Sequence, residues 1–262
     1  MADILSKEQH RNRRWTRDEE ILALFAYCQV PFNKASNSHP FIVRIANIIN
    51  RSPASVKMKI GNFGAFDPNL RARGIVGLSG YSRLDEEIWN EYYGRWDLLS
   101  EVANELLLKY EFQNDIHKGE LQYPEGIEIE VISKQRINQD FFRAAVLSSY
   151  NGKCCISGLK SEVLLEAAHI VAWKDDPIIR TDPTNGLCLN ALLHKAYDNF
   201  MISITPNYKV EFSNCFYTAL DNDHLKRFVD SKQGASIILP DKFLPNPLFL
   251  EKHYLRFKTL HA

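Results

Sequence analysis

Between Leu164 and Asp198 the chain sets out three short segments whose order restricts how this region folds. Leu164-Leu165-Glu166-Ala167-Ala168-His169-Ile170 reads as an apolar strand ending in a histidine. Asn185-Gly186, preceded by Asp182-Pro183-Thr184, reads as a turn, and His194-Lys195-Ala196-Tyr197-Asp198 as a helix. Residues four apart share a helix face, so His194 and Asp198 point to one side. The segment therefore brings one histidine at a strand end and one pair of ligand-type side chains around a single point.

Those residue types suit one kind of chemistry. Hydrolysing a phosphodiester needs a base to take a proton from water and a cation to offset charge on the phosphoryl and departing oxygens. A neutral imidazole is the best single base near pH 7, which assigns that part to His169. His194 and Asp198 form the candidate metal edge. The Asn185 amide is placed to tie the loop to the strand bearing the base, an orienting part in catalysis. Each of these features is common by itself; their order over a short span gives them weight.

The surrounding residues resemble the HNH endonucleases of the ββα-metal fold, in particular the restriction-endonuclease-like branch. The resemblance covers Arg136-x-Asn138-Gln139-x-x-Phe142-Arg143, Cys155-Ile156-Ser157-Gly158-Leu159, Leu165 to Ile170, Asn185-Gly186-Leu187, and His194 to Asp198 followed by Met201-Ile202-Ser203-Ile204. Leu239-Pro240 and His253 resemble the family's C-terminal trailer. It implies that His169 is the general base, Asn185 the orienting asparagine, and His194 with Asp198 the metal ligands. It also implies one divalent ion per site, Mg²⁺ or Mn²⁺ with Zn²⁺ or Ni²⁺ as alternatives, and cleavage to 5′-phosphate and 3′-hydroxyl ends. Many relatives carry Asp or His just before the base. This chain has Ala168 there, which leaves the third ligand open between Glu166 and water. Arg136, Gln139 and Arg143 match the upstream pattern as nucleic-acid contacts, with pairing of Arg143 to Asp140 or Glu166 as the structural alternative. Lys174 follows the base closely and is a further contact, and Trp173 either stacks on nucleic acid or fills the core.

The first part of the chain reads differently. Thr16 can cap a helix whose Asp18, Glu19 and Glu20 favour its N-terminal dipole. Phe41 to Ile49 is a second apolar-periodic stretch, and Ser52-Pro53 opens a third helix in which Val56, Ile60 and Phe63 share a face. That leaves Ala54, Ser55, Met58 and Asn62 outward, with Lys57 and Lys59 on the flanks as candidate DNA contacts. The arrangement is helix-turn-helix-like, and Arg14-Trp15-Thr16-Arg17-Asp18-Glu19-Glu20 resembles the start of Myb or SANT repeats; a plain helical bundle is the alternative. Two more helices are expected, at Ser82 to Tyr93 and about Asp97 to Phe112, followed by a linker from Asn114 to Gly126.

The expected fold class is α+β, with an all-helical module over residues 1–115 and a ββα-metal HNH nuclease domain over 127–262, its motif core at 150–205. Within the second part Ile127 to Ile132 reads as a strand and Phe141 to Tyr150 as a helix. Charge supports two different surfaces. Lys and Arg total 32 against 32 Asp and Glu, but residues 1–75 carry 12 against 6 and residues 76–130 carry 4 against 13. The five cysteines include no C-x-x-C pair, which argues for a reducing compartment and against a four-cysteine zinc site. Strand alternation predicts that only one of Cys154 and Cys155 is buried. With no apolar run long enough to span a bilayer, the chain is expected to be cytoplasmic. The partners expected are DNA, no membrane and a homodimer. The rival readings are an inactive HNH-fold DNA-binding protein and an RNA-cleaving effector.

Overall fold

The computed structural model describes residues 13–118, 134–221 and 223–261. The chain falls into two compact units, Met1–Phe141 and Phe142–Ala262. Among the described residues no helix is long and apolar enough to cross a membrane.

The first unit is helical: α1 (Arg17–Gln29), α2 (Pro40–Ile48), α3 (Pro53–Gly64), α4 (Pro68–Ala72), α5 (Arg83–Tyr92), α6 (Trp96–Lys118) and the start of α7 (Lys134–Ser149). Local chemistry sets most of the starts. Thr16 with Glu19, and Ser82 with Asp85, form reciprocal capping boxes. Ser52, Asp67 and His39 each cap a helix that opens on proline, whose missing N–H costs nothing in the first turn. Helix α1 is enclosed on every side, with Glu19 to Cys28 all buried, and packs against α2, α3, α5 and α6. Helix α6 runs through Lys118, past the expected linker start at Asn114. The rest of that linker and the expected strand at 127–132 lie outside the described residues.

Burial of α1 carries its acidic first turn inward, where helix-dipole stabilisation alone would not hold it. Glu19 is paired with Arg13 and, at 2.8 Å, with Arg51, whose guanidinium lies 4.3 Å from the Trp15 ring centroid. Glu20 pairs with Lys59, and the Lys59 ammonium also reaches Asp85 at 2.8 Å. Asn62 donates to the same carboxylate at 3.2 Å. Burial pushes the Glu20 carboxyl up to about 8 against the pull of Lys59. Burial also acts to raise Asp85, but hydrogen bonds from Lys59 and Glu20 outweigh it and hold that carboxyl below its ordinary value. Glu20 thus keeps its proton and Asp85 the charge.

Two flank assignments on α3 are corrected by this cluster. Lys59, expected as a DNA contact, is 5% exposed, and Asn62, expected outward, is also buried. Periodicity marks the α1-facing side of α3, but α5 closes over one flank as well. Lys57 and Met58 do stay exposed. Towards the C-terminal half of α3 the outward face is covered: Leu78 N–H donates to Gly61 O at 3.0 Å and its side chain lies over Gly61. At Gly77 a Cβ would stand 2.1 Å from the Ala65 nitrogen, so only glycine allows this close approach.

The second unit holds the rest of α7, then β1 (Leu165–His169), β2 (Gly186–Asn190), α8 (Ala191–Asp198), β3 (Ile202–Ile204), β4 (Val210–Phe212), α9 (Asn214–Thr218), α10 (Asp223–Lys232) and α11 (Pro247–Leu260). Strands β1 and β2 pair antiparallel with His169 opposite Gly186 and Leu165 opposite Asn190. β3 and β4 form a second antiparallel pair around Pro206-Asn207. Helix α7 begins at Lys134, ahead of the expected Phe141, and its Phe142 and Val146 join the core under the β1–β2 pair. Gly186 passes so near them that a Cβ would lie 2.2 Å from Val146 Cγ2.

Cys154 and Cys155 are both fully buried, contrary to the alternation argument. Strand period does not apply, because residues 154–158 form a tight turn in which Gly158 N–H donates to Cys154 O at 2.9 Å, with Gly158 at φ 76°. Cys155 N–H donates to Cys188 O at 2.7 Å, stapling the turn to β2.

Candidate active site

His169 ends β1 and lines a cleft of about 650 Å³ together with His194 and Asp198. One face of its ring stacks on Phe142, with centroids 3.8 Å apart and planes 9° apart, and the Trp173 ring meets it edge-on at 5.4 Å. Trp173 is half-buried beside His169, between the two positions expected for it. His169 Nε2 lies 2.9 Å from the Arg180 carbonyl oxygen. A carbonyl only accepts, so Nε2 carries the proton and Nδ1 keeps its lone pair. Burial lowers the His169 pKa; the Arg180 carbonyl and Asp198 oppose that and His194 adds to it. The ring is therefore neutral at pH 7 and able to accept a proton at Nδ1.

The loop from 170 to 185 is held from within. Asn185 is fully buried; its Oδ1 accepts from Val171 N–H at 2.8 Å, and its Nδ2 donates to Val171 O at 3.1 Å and Ile179 O at 3.4 Å. Its own carbonyl accepts from Ile170 N–H at 2.9 Å. These bonds fix the backbone just past His169. Arg180 Nε donates to Trp173 O at 2.7 Å, steadying the turn whose carbonyl holds His169.

Asn190 caps α8, its side chain accepting from Leu193 N–H, and so sets the phase that turns His194 and Asp198 to the cleft. His194 stands between two carboxylates: Nδ1 is 2.5 Å from Glu166 Oε2 and Nε2 is 3.4 Å from Asp198 Oδ2. Glu166, expected as a third ligand, faces the nitrogen remote from Asp198, so the three do not converge. The physical reason is that an imidazole's two nitrogens point to opposite edges of the ring. Among the described residues no group of three His, Cys, Asp or Glu is arranged to hold a metal.

The His194 and Asp198 pair does fit an ion. An imidazole nitrogen and a carboxylate oxygen are both donor types that divalent cations take, and His194 Nε2 and Asp198 Oδ2 stand 3.4 Å apart one helical turn along α8. Glu166 fits as the carboxylate that takes the ligand's other N–H and fixes its orientation. Ala168, just before His169, belongs to the buried core.

The other expected contacts separate. Lys174 lines the cleft. Arg143 is anchored to β1, its guanidinium donating to Leu165 O at 2.9 Å, in place of either expected carboxylate partner. Arg136 and Gln139 are exposed on the part of α7 that belongs to the first unit, and Arg143, in the second, is not among the residues lining the cleft. Sequence reasoning missed the Arg180 carbonyl, which has no side-chain signature, and the α11 residues Lys252 and Arg256, which line the cleft from far along the chain. The i and i+4 spacing of those two cations was the available signal.

No curated protein matches the chain. Residues 154–205 match a protein-family model described as HNH endonuclease. That stretch contains the ββα arrangement of β1, β2 and α8 with His169, Asn185, His194 and Asp198, and this segment of the chain is an HNH-type nuclease domain.

Proposed function

We propose that the chain is a metal-dependent endonuclease that hydrolyses DNA phosphodiester bonds in the restriction of foreign DNA. The observation that carries this reading is the state of His169: a neutral ring with Nε2–H committed to the Arg180 carbonyl, opening on the same cleft as His194 Nε2 and Asp198. Nδ1 takes the proton of the attacking water as the oxygen closes on phosphorus. Phe142 and Trp173 hold the ring plane, and Asn185 keeps the loop beyond it from shifting as the ring gains charge.

His194 and Asp198 would hold the ion, Mg²⁺ or Mn²⁺ with Zn²⁺ or Ni²⁺ as alternatives; when bound it neutralises charge on the phosphoryl and departing oxygens. Glu166 orients His194 by accepting from Nδ1–H, which keeps Nε2 directed at the Asp198 side of the cleft. Water and phosphate oxygens would complete the coordination. Because one such site cuts one strand, double-strand cleavage calls for two copies of the chain.

Plasmid nicking by His169→Ala in each of the four ions tests this reading. The substitution removes the base but no ligand, so cleavage should fall by about 10²–10⁴-fold with metal and DNA binding retained. Full cleavage by the folded variant would sink the mechanism. A second reading, a DNA-binding protein that does not cut, draws on the lack of a three-ligand cluster among the described residues; DNA binding by the wild type without cleavage in any ion would establish it.

A further inference from the structure

Helix α11 supplies a wall of the cleft that the site chemistry above does not use. Lys252 and Arg256, one turn apart, both line the space that holds His169, His194 and Asp198. His253, between them in sequence, turns inward. Its Nε2–H donates to Tyr197 O at 3.2 Å, its Nδ1 accepts from Ser203 Oγ at 2.9 Å, and its ring lies flat on Tyr197 with centroids 3.8 Å apart. Attachment at two points, to the end of α8 and to β3, sets the rotation of α11 and with it the direction of the two cations.

Arg256 is further placed by Phe200, two residues beyond Asp198. Its guanidinium lies 4.7 Å from the Phe200 ring centroid, a contact that orients the cation while leaving its N–H edge outward. Phe200 adopts φ 54°, a left-handed conformation that a non-glycine residue keeps only when its surroundings impose it. The acidic residues of the cleft have local engagements. Asp198 faces His194, Asp176 Oδ1 accepts from Ile178 N–H at 3.0 Å, and Asp175 stands 4.0 Å from Arg256, at the outer limit of an ion pair. Lys174, Lys252 and Arg256 are the cations that line the cleft, with Lys252 and Arg256 together on α11.

We propose that Lys252 and Arg256 form a phosphate-binding wall that grips the DNA backbone beside the scissile bond. This rests on the nuclease reading of the cleft and names how that site takes its substrate. Arg256 exchanges its distant Asp175 contact for a phosphate, and Lys252 meets the next one along the strand.

The test is fluorescence anisotropy of a short labelled DNA duplex with the full chain carrying His169→Ala, so that nothing is cut, across about 50–200 mM salt. Each lost phosphate contact should lower the slope of log affinity against log salt by about 0.9, so Lys252→Ala with Arg256→Ala should lower it by about 1.8. Affinity at the low-salt end should fall roughly tenfold or more. Lys226→Ala with Arg227→Ala on α10 removes the same charge outside the cleft and should leave the slope within about 0.5. Equal slopes for the two double variants, or no change in either, would overturn the proposal. A larger slope change on an RNA duplex than on DNA would overturn the assignment to DNA. Should the double variant lose its thermal transition, Lys252→Gln and Arg256→Gln singly replace it, each expected to lower the slope by about 0.9. Plasmid cleavage by the wild type reads the nuclease assignment separately: cutting with an unchanged slope condemns only the α11 wall, and a lowered slope without cutting condemns only the nuclease reading.

Discussion

The charged clusters described above for the two units differ in burial. The helical unit encloses Glu19, Glu20, Lys59 and Asp85 inside the bundle, pairing Glu19 with Arg51 and Glu20 and Asp85 with Lys59. The second unit keeps Glu166 and His194 half-exposed and Asp198 exposed, the last two lining a cleft, and its deeply buried His253 is held neutral. A charge closed in a core has one set of partners, and exchanging them means unfolding. A charge at a cleft edge can trade a weak neighbour for a ligand. The first arrangement specifies a structure, and the second leaves groups available for chemistry.

The strongest way to break this contrast is to remove the cation at the centre of the helical cluster. Lys59→Met leaves Asp85 charged and buried beside Glu20, and should cost about 3 kcal/mol of stability, read by denaturant unfolding of the full chain. DNA affinity of the folded variant should be unchanged. A loss below about 0.5 kcal/mol, the scale of a surface substitution, together with weaker DNA binding would return Lys59 to the role its sequence position suggested.

Next in size is the response of the second unit to acid. Burial lowers the His253 pKa from 6.5 to about 4, with the Tyr197 carbonyl opposing and Arg256 adding to the effect. Between those values the unfolded chain binds a proton that the folded chain excludes, so stability falls as pH falls, and above 6.5 the term vanishes. From pH 7.5 to 4.5 the loss should be roughly 2–3 kcal/mol. Comparing the pH dependence of unfolding in wild type and His253→Gln isolates it; identical pH slopes would show that His253 is not held neutral by the fold.

The smallest effect falls at the cleft edge. Glu166→Gln should weaken metal binding about tenfold, measured by calorimetry with Mn²⁺ or Zn²⁺, while shifting the unfolding free energy by less than about 0.5 kcal/mol. Nitrogen NMR of His194 should show Nδ1 less firmly held as the protonated position. Unchanged metal affinity would remove Glu166 from the site, and a large stability loss would make it a core residue like Glu19.

Much of the local structure was legible because it depends on neighbours in sequence. The Thr16 and Ser82 helix caps, the Ser52-Pro53 helix start, the strand ending in His169 and the Asn185 brace each follow from groups within about a turn or a tight loop. The early start of α7 and the extension of α6 were not, since neither helix end carries a strong stop or start signal where it was expected. Lys59 and Asn62 were misplaced for a different reason. A helical period reports which side is most apolar, and says nothing of a polar flank that a further helix covers.

The order and types of His169, Asn185, His194 and Asp198 were determined by sequence alone, since strand, turn and short helix follow within one continuous stretch whose local geometry brings His169, His194 and Asp198 to one cleft and buries Asn185 behind it. Only tertiary structure decided what surrounds them. The Arg180 carbonyl sets the tautomer of His169, Glu166 takes the far nitrogen of His194, and α11 returns from the end of the chain to bring Lys252 and Arg256 into the cleft. The physical reason is that hydrogen-bond partners and cleft walls are chosen by proximity in space, and a backbone carbonyl or a residue far along the chain leaves no mark at the position it completes.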